Sequence, residues 1–429
     1  MKKKYRIILY TSIFLLCVVA SIILVVKKSN SVYEEESKPK VVKHKSMLSM
    51  NLEQTAGAGD YKTVTQSKWP TEGYKFNAEL SRCENGSTLS WDDTKKAVIV
   101  SGNLSDKCYV YFDIYQPTLA EYIKSQYTGT QGENNIYYHD SDLANGAGDN
   151  SYRYAGANPN NFVCFGTTES PCPTDNLYRI IGVFGENYHG VTGKQLVKLI
   201  KYDYMTTDEL GTDGDYSQTY KEWGMDSTYK GTYGDGERIG VYYWNYKATG
   251  SATNTWSTSL LNKTNLNTNF INNIGTTWAN KIATVTWKVG GNTWANIGTK
   301  TSSVAYTNEI TNPVTTNTTD NATTYSAKIG LMYVSDYGFA ASPDAWTLTM
   351  SSYNNTTATN NNWMYMGLYE WTISRNADSS YIAFGVDFVG HVYDNGVVSN
   401  IGVRASFNLE SSVSYVSGSG SMSDPIVIN

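Results

Sequence analysis

The chain has 429 residues, with 34 Lys plus Arg against 39 Asp plus Glu, four His, five Cys, and 35 Tyr beside 11 Trp and 11 Phe. Charged residues make up 17%, below the usual quarter, so the expected surface is rich in Tyr, Asn, Thr and Ser with few ion pairs. The length suits two or three domains; the composition argues against disorder and nucleic-acid binding, the mean hydropathy of -0.40 against a polytopic membrane protein, and four His against many imidazole metal sites.

Residues 7–26 are twenty uncharged, mostly aliphatic residues bounded by Arg6 and Lys27. At about 1.5 Å per residue such a run spans the roughly 30 Å hydrocarbon core. It reads as a transmembrane helix or uncleaved signal anchor, a cleaved signal peptide being the competing reading. Lys2, Lys3, Lys4 and Arg6 outnumber Lys27 and Lys28, so the positive-inside rule puts residues 1–6 in the cytoplasm and the bulk outside. The membrane is thus the first expected partner. Without the six basic residues of this segment, residues 31–429 hold 28 basic and 39 acidic residues, a net charge of -11, which repels nucleic acid. Residues 27–60, with the EEE, KPK and KHK blocks, read as a solvated stalk.

Next come Cys83 with Cys108 and Cys164 with Cys172. Four cysteines in an exported chain favour disulfides and allow three connectivities, of which sequential pairing is the most economical. Neither pair has C-x-x-C spacing, so no metal is expected there. Strand-like runs at 97–100 and 109–114 make residues 61–114 a small β module stapled across its sheet. Residues 118–127 have helical spacing of Leu119, Tyr122 and Ile123, and the Gly, Asn, Asp and Tyr rich stretch to Asn161 reads as a linker, giving a helix-and-linker segment at 115–163. Residues 175–185 and 195–205 read as a hairpin, and 257–274 as an amphipathic helix through Leu260, Leu261, Leu266, Phe270 and Ile274. Residues 299–324 read as a Thr and Asn rich surface loop.

The blocks KIGLMYVSDYGFAASPDAW (328–346), NNNWMYMGLYEWTISR (360–375), FGVDFVGHVYDNG (384–396) and IGVRASFNLESS (401–412) follow in order. With Tyr369-Glu370-Trp371-Thr372 and Gly402-Val403-Arg404, they resemble the C-type-lectin-like fold of formylglycine-generating-type domains and bacterial variable surface proteins. Through WPTEGYKFN (69–77) and NNFVCFGTTESPCPTDNLYRIIGVF (160–184) as well, the chain resembles membrane-anchored exported proteins of Gram-positive gut bacteria. The resemblance implies a lectin-like domain over 164–429 with a long insertion at 205–324, in which residues 177–184 pair with the terminal strand at 426–428. Glu370 and Arg404 suit a buried charge-assisted pair, with Trp371 on the inner face of a strand, a scaffold rather than a ligand contact.

The catalytic cysteines of the formylglycine-generating relatives have no counterpart after Cys172, and Ser342-Pro343-Asp344 is only a faint echo of a calcium-dependent sugar motif. HExxH, GxSxG and GxxxxGK[ST] are absent. Asp203, Asp208, Glu209, Asp213 and Asp215 read as a solvated acidic loop, and His139 and His189 as surface or satisfied histidines. No cofactor, metal or catalytic residue is expected. Binding chemistry concentrates in Asp387, Phe388, His391, Tyr393, Asp394 and Asn395, which mix aromatic rings with short polar groups, although Asp394-Asn395-Gly396 also suits a hairpin turn.

The expected molecule is a β-rich α+β protein with an N-terminal transmembrane helix, a small disulfide-stapled β module and a C-type-lectin-like C-terminal domain. Its expected role is binding an extracellular protein or glycan at the cell surface. An extracellular glycan or cell-wall hydrolase and a structural surface component are the alternatives.

Overall fold

The computed structural model describes residues 48–429 except 66–67, 71–72, 225–227, 248–249, 314–321 and 355. The expected anchor at 7–26 and most of the stalk lie outside the described residues. Among the described residues no helix is long and apolar enough to cross a membrane. The chain is a β-rich α+β protein divided into a unit ending at Tyr115 and a unit Gln116–Asn429.

In the first unit, β1 (Leu48–Glu53), β2 (Tyr61–Val64), β3 (Tyr74–Phe76), β4 (Arg82–Cys83) and β7 (Cys108–Ile114) form one sheet, and β5 (Thr88–Asp92) and β6 (Ala97–Ser101) form a hairpin. β1 runs parallel to β7 and antiparallel to β2, so Leu48–Glu53 is an inner strand and not stalk. The physical reason is burial: Met50 and Leu52 pack with Val110 and Phe112, while Glu53 accepts the Gly59 and Ile114 amides at 3.1 and 2.9 Å. Trp91 meets Phe112 edge-on at 5.6 Å. Cys83 stands opposite Cys108 in the β4–β7 register, and a disulfide joins them.

The second unit has two larger sheets. One contains β8 (Ile136–His139), β9 (Ser151–Tyr154), β10 (Phe162–Cys164), β11 (Leu177–Phe184) and β12 (Leu196–Lys201), extended by Ser406–Asn408 and Ile329–Gly330. β8 and β9 arise within the expected linker: Tyr138 stacks on Tyr152 at 4.6 Å, and the Gly and Asn rich residues between them close the turn. The helix Leu119–Ser125 buries Leu119 and Ile123 behind a Thr118–Glu121 capping box.

The β11–β12 hairpin forms with the short helix Glu186–His189 in its connection. The implied pairing of β11 with the C-terminal strand does not: β10 lies between them, bonded to β11 on one edge and to Ile426 on the other. Val427–Ile428 pairs instead with Tyr415–Ser417. The second disulfide, Cys164 to Cys172, closes the loop between β10 and β11.

The other sheet runs Tyr216–Thr219, Gly240–Tyr242, Ile401–Gly402, Glu370–Arg375, Ile382–Val386, Val392–Gly396. Every residue of Glu370–Arg375 is buried. Residues 256–258 make one 3-10 turn and 261–279 continue in π and α turns, with Leu261, Leu266 and Phe270 buried but Leu260 exposed. The expected surface loop at 299–324 contains the helix Ser302–Tyr306, whose Ala305 and Tyr306 are core residues. Few ion pairs were expected, and the closest-knit set is internal. Lys198 of β12 donates to Asp336 at 2.7 Å and Tyr188 at 2.6 Å, and Arg153 of β9 pairs with Asp149 at 2.7 Å.

Candidate functional site

The six residues nominated for binding lie on the hairpin Ile382–Val386 and Val392–Gly396 and its connection. Asp387 accepts the Val389 and His391 amides at 3.0 and 2.9 Å and meets His391 Nδ1 at 2.7 Å, so both side chains close the turn. Phe388 packs beside Tyr369, and its carbonyl accepts from Tyr365 at 2.6 Å. The Tyr393 ring meets Tyr369 edge-on, and burial raises its phenol well above the ordinary range. Asp394 accepts from Asn376 at 3.0 Å and Asn395 from the Gly396 amide at 2.8 Å. Asp387, His391 and Asn395 are thus engaged within the hairpin, while Phe388, Tyr393 and Asp394 reach across to Tyr369 and Asn376.

Glu370 and Arg404 form a buried two-pronged pair, with Nε to Oε1 and Nη2 to Oε2 both at 2.8 Å. Burial lifts the Glu370 carboxyl above its ordinary value against the pull of Arg404. Trp371 is fully buried and donates to the Tyr242 carbonyl at 2.9 Å. The acidic group at 203–215 is not one solvated loop. Asp203 is buried and accepts from Tyr229, Thr232 and Tyr204, and Asp215 is buried and accepts the Leu261 and Tyr246 amides. Their position follows from backbone N–H groups that need acceptors away from water. His139 and His189 are both buried, not surface residues; burial holds His139 neutral against Phe339 and Trp346, while His189 bonds Phe184 and Val191. Among the described residues no group of three or more His, Cys, Asp or Glu is placed to hold a metal ion.

A pocket of about 540 Å³ lies where β10 and β11 meet the segment 359–366. Its principal charged group is Arg179, near the start of the otherwise largely apolar β11 and directly opposite Phe162 of β10. The guanidinium lies 4.2 Å from the Phe162 ring and 4.7 Å from the Trp363 ring, favourable cation–π distances. Nε donates to Asn161 Oδ1 at 2.7 Å and Nη2 to the Pro159 carbonyl at 3.1 Å. The Asn161 amide is itself oriented by donating to Ile180 O at 2.8 Å, and Trp363 is held by donating to Tyr154 O at 2.9 Å. Arg179 is therefore held in place by the protein's own contacts. Burial pulls it down to about 9, so it remains a cation at neutral pH.

The exposed Lys230 adds a second positive charge, 4.4 Å above the Tyr365 ring. Asn158, Asn160 and Asn360 supply exposed amides at the rim, and Met422 arrives on the C-terminal loop. That loop approaches because Gly420, at φ +80°, lies so near Asn160 that a Cβ would sit 2.4 Å from its carbonyl oxygen. Among the described residues no carboxylate, histidine or cysteine lines this pocket. Phe388 reaches its wall through Tyr365; the other nominated residues do not line it. The available signal in the sequence was a single Arg inside the apolar run LYRIIGVF; its partners lie 18 and 184 positions away, Asn161 and Trp363. Set against known proteins, the chain matches no family model, no curated sequence and no solved structure.

Proposed function

We propose that this is a cell-surface binding protein, held in the membrane by residues 7–26 and carrying a C-type-lectin-like second unit whose ligand seat is the Arg179 pocket. The observation that carries this reading is a buried guanidinium forming a pocket wall, whose acceptors among the described residues are neutral. Burying a charge without a counter-charge costs several kcal/mol in folding, and a ligand that supplies the counter-charge recovers part of that cost. The two disulfides suit an oxidising exterior. A pocket lining without a carboxylate pair favours binding over glycan hydrolysis at this position.

The test is binding of the full chain in detergent to a combined glycan and protein array. Arg179→Lys and Lys230→Gln are compared with His391→Ala, Tyr393→Ala and Asp394→Ala on the hairpin. Signals lost only in the first pair support the pocket. Signals lost only in the second group move the site to the hairpin, and turnover of an arrayed glycan would replace binding by hydrolysis.

A further inference from the structure

The cations and amides around this pocket define a ligand class more closely than the fold does. Arg179 spends Nε and one Nη2 hydrogen on Asn161 and Pro159. A guanidinium has five N–H donors in a fixed fork, so the end of the fork, formed by Nη1 and the second Nη2 hydrogen, has no acceptor among the described residues. That end presents two parallel donors, the geometry that grips a carboxylate or phosphate through two oxygens. Lys230 is the second cation of the same pocket.

The remaining surface decides what carries the oxyanion. Phe162, Trp363, Tyr365 and Met366 are 9%, 4%, 7% and 5% exposed, and cations lie over three of these side chains, Phe162, Trp363 and Tyr365. Those three rings are therefore engaged with Arg179 and Lys230, which leaves the half-buried Tyr202 as the remaining aromatic face of the pocket. The accessible part of the wall pairs a small apolar side, Met422 with the half-buried Tyr202 and Ala157, with exposed amides of Asn158, Asn160 and Asn360 on the rim, and amides donate to and accept from hydroxyl groups equally well. Two cations beneath a ring of amides match an oxyanion borne on a polyhydroxylated body.

We infer that the Arg179 pocket binds an anionic saccharide, its carboxylate or phosphate seated on the open end of the Arg179 fork and Lys230, and its hydroxyls on the asparagine rim. This inference rests on the pocket being the binding site. It also accounts for a cationic pocket on a chain of formal net charge -5, because the local donors and not the overall field select the ligand.

Calorimetric titration of the full chain in detergent tests it with three probes: an oligogalacturonate, its carboxyl-reduced neutral counterpart, and that neutral oligosaccharide bearing one phosphate. The expected result is binding of one or both charged probes and none of the neutral one, which also separates carboxylate from phosphate. Arg179→Lys keeps the charge but loses the fork and is expected to weaken binding about tenfold to a hundredfold. Lys230→Gln, at an exposed position that leaves the fold intact, is expected to weaken it about threefold to tenfold and serves if the Arg179 variant fails to fold. Equal affinity for the neutral probe, or tighter binding of an acidic peptide than of every saccharide, overturns the saccharide inference while leaving the pocket as a binding site. Absence of binding to any probe or arrayed ligand, or binding unmoved by both substitutions, overturns the inference and the binding-site reading together.

Discussion

Glu309 shows how burial alone sets a residue's chemistry. It is 3% exposed and accepts the Val334 and Ser335 amides and the Ser374 hydroxyl, yet burial raises its carboxyl to about 7. Its proton is therefore held more tightly in the folded chain than in the unfolded chain. Its contribution is fully present below about pH 4.5 and is lost as pH rises through about 7, at about 1.4 kcal/mol per unit. Unfolding midpoints in urea should fall between pH 5 and pH 7.5 by an amount on the order of 2–3 kcal/mol that Glu309→Gln removes. An identical pH dependence in wild type and variant would contradict this assignment. For the buried Glu370–Arg404 pair, Arg404→Met should cost about 3–5 kcal/mol because it strands a buried carboxylate, and adding Glu370→Leu should recover part of the loss. A double-mutant cycle on the same midpoints measures both. The pair was legible because an isolated Glu and Arg in apolar blocks must meet a partner; Glu309, in a Thr and Asn rich stretch, carried no such signal.

Among the elements, the small sheet of the first unit depends most on its covalent staple. Its core is Met50, Leu52, Val110 and Phe112 with a few partly buried neighbours, and Cys83 to Cys108 closes a loop of 25 residues against 8 for Cys164 to Cys172. Chain-entropy arithmetic gives about 3.5 and about 2.5 kcal/mol for these loops. On reduction with dithiothreitol the first unit should lose amide-exchange protection before β11 and β12 do; simultaneous loss in both would reject this order. Strands with β-branched or aromatic runs, such as β6, β7, β11 and β12, were readable by period and composition. β1, β8 and β9 were not: LSMNLE alternates apolar and polar residues and IYYH and SYRY carry β-forming tyrosines, but each is a run of four to six residues beside a charged or Gly and Asn rich stretch and becomes a strand only when a neighbour supplies hydrogen bonds and covers one face. The hairpin 382–396 was read as a recognition loop from its aromatic and polar mixture; in the structure Asp387 and His391 bond each other across its turn, and Phe388, Tyr393 and Asp394 reach to Tyr369 and Asn376.

For the whole molecule, the proposal of a cytoplasmic N-terminus and an external bulk predicts that protease added to intact cells digests residues beyond 31 and spares a tag placed before Met1. Protection of the bulk would reverse the orientation. Sequence alone established the composition classes and the apolar run at 7–26 and pointed to the β-rich character and to sequential cysteine pairing as the most economical of three connectivities, which the structure then showed, because each depends on local composition or short-range chain entropy. Tertiary structure alone decided where the pocket lies and which groups it holds. The Arg179 pocket forms only when Asn161 and Pro159 occupy one edge of its fork, Phe162 and Trp363 flank its plane, and the C-terminal loop comes close at Gly420. Those contacts join segments up to about two hundred residues apart, and the directional hydrogen bonds and desolvation that define them are not encoded in the period or spacing of any one segment.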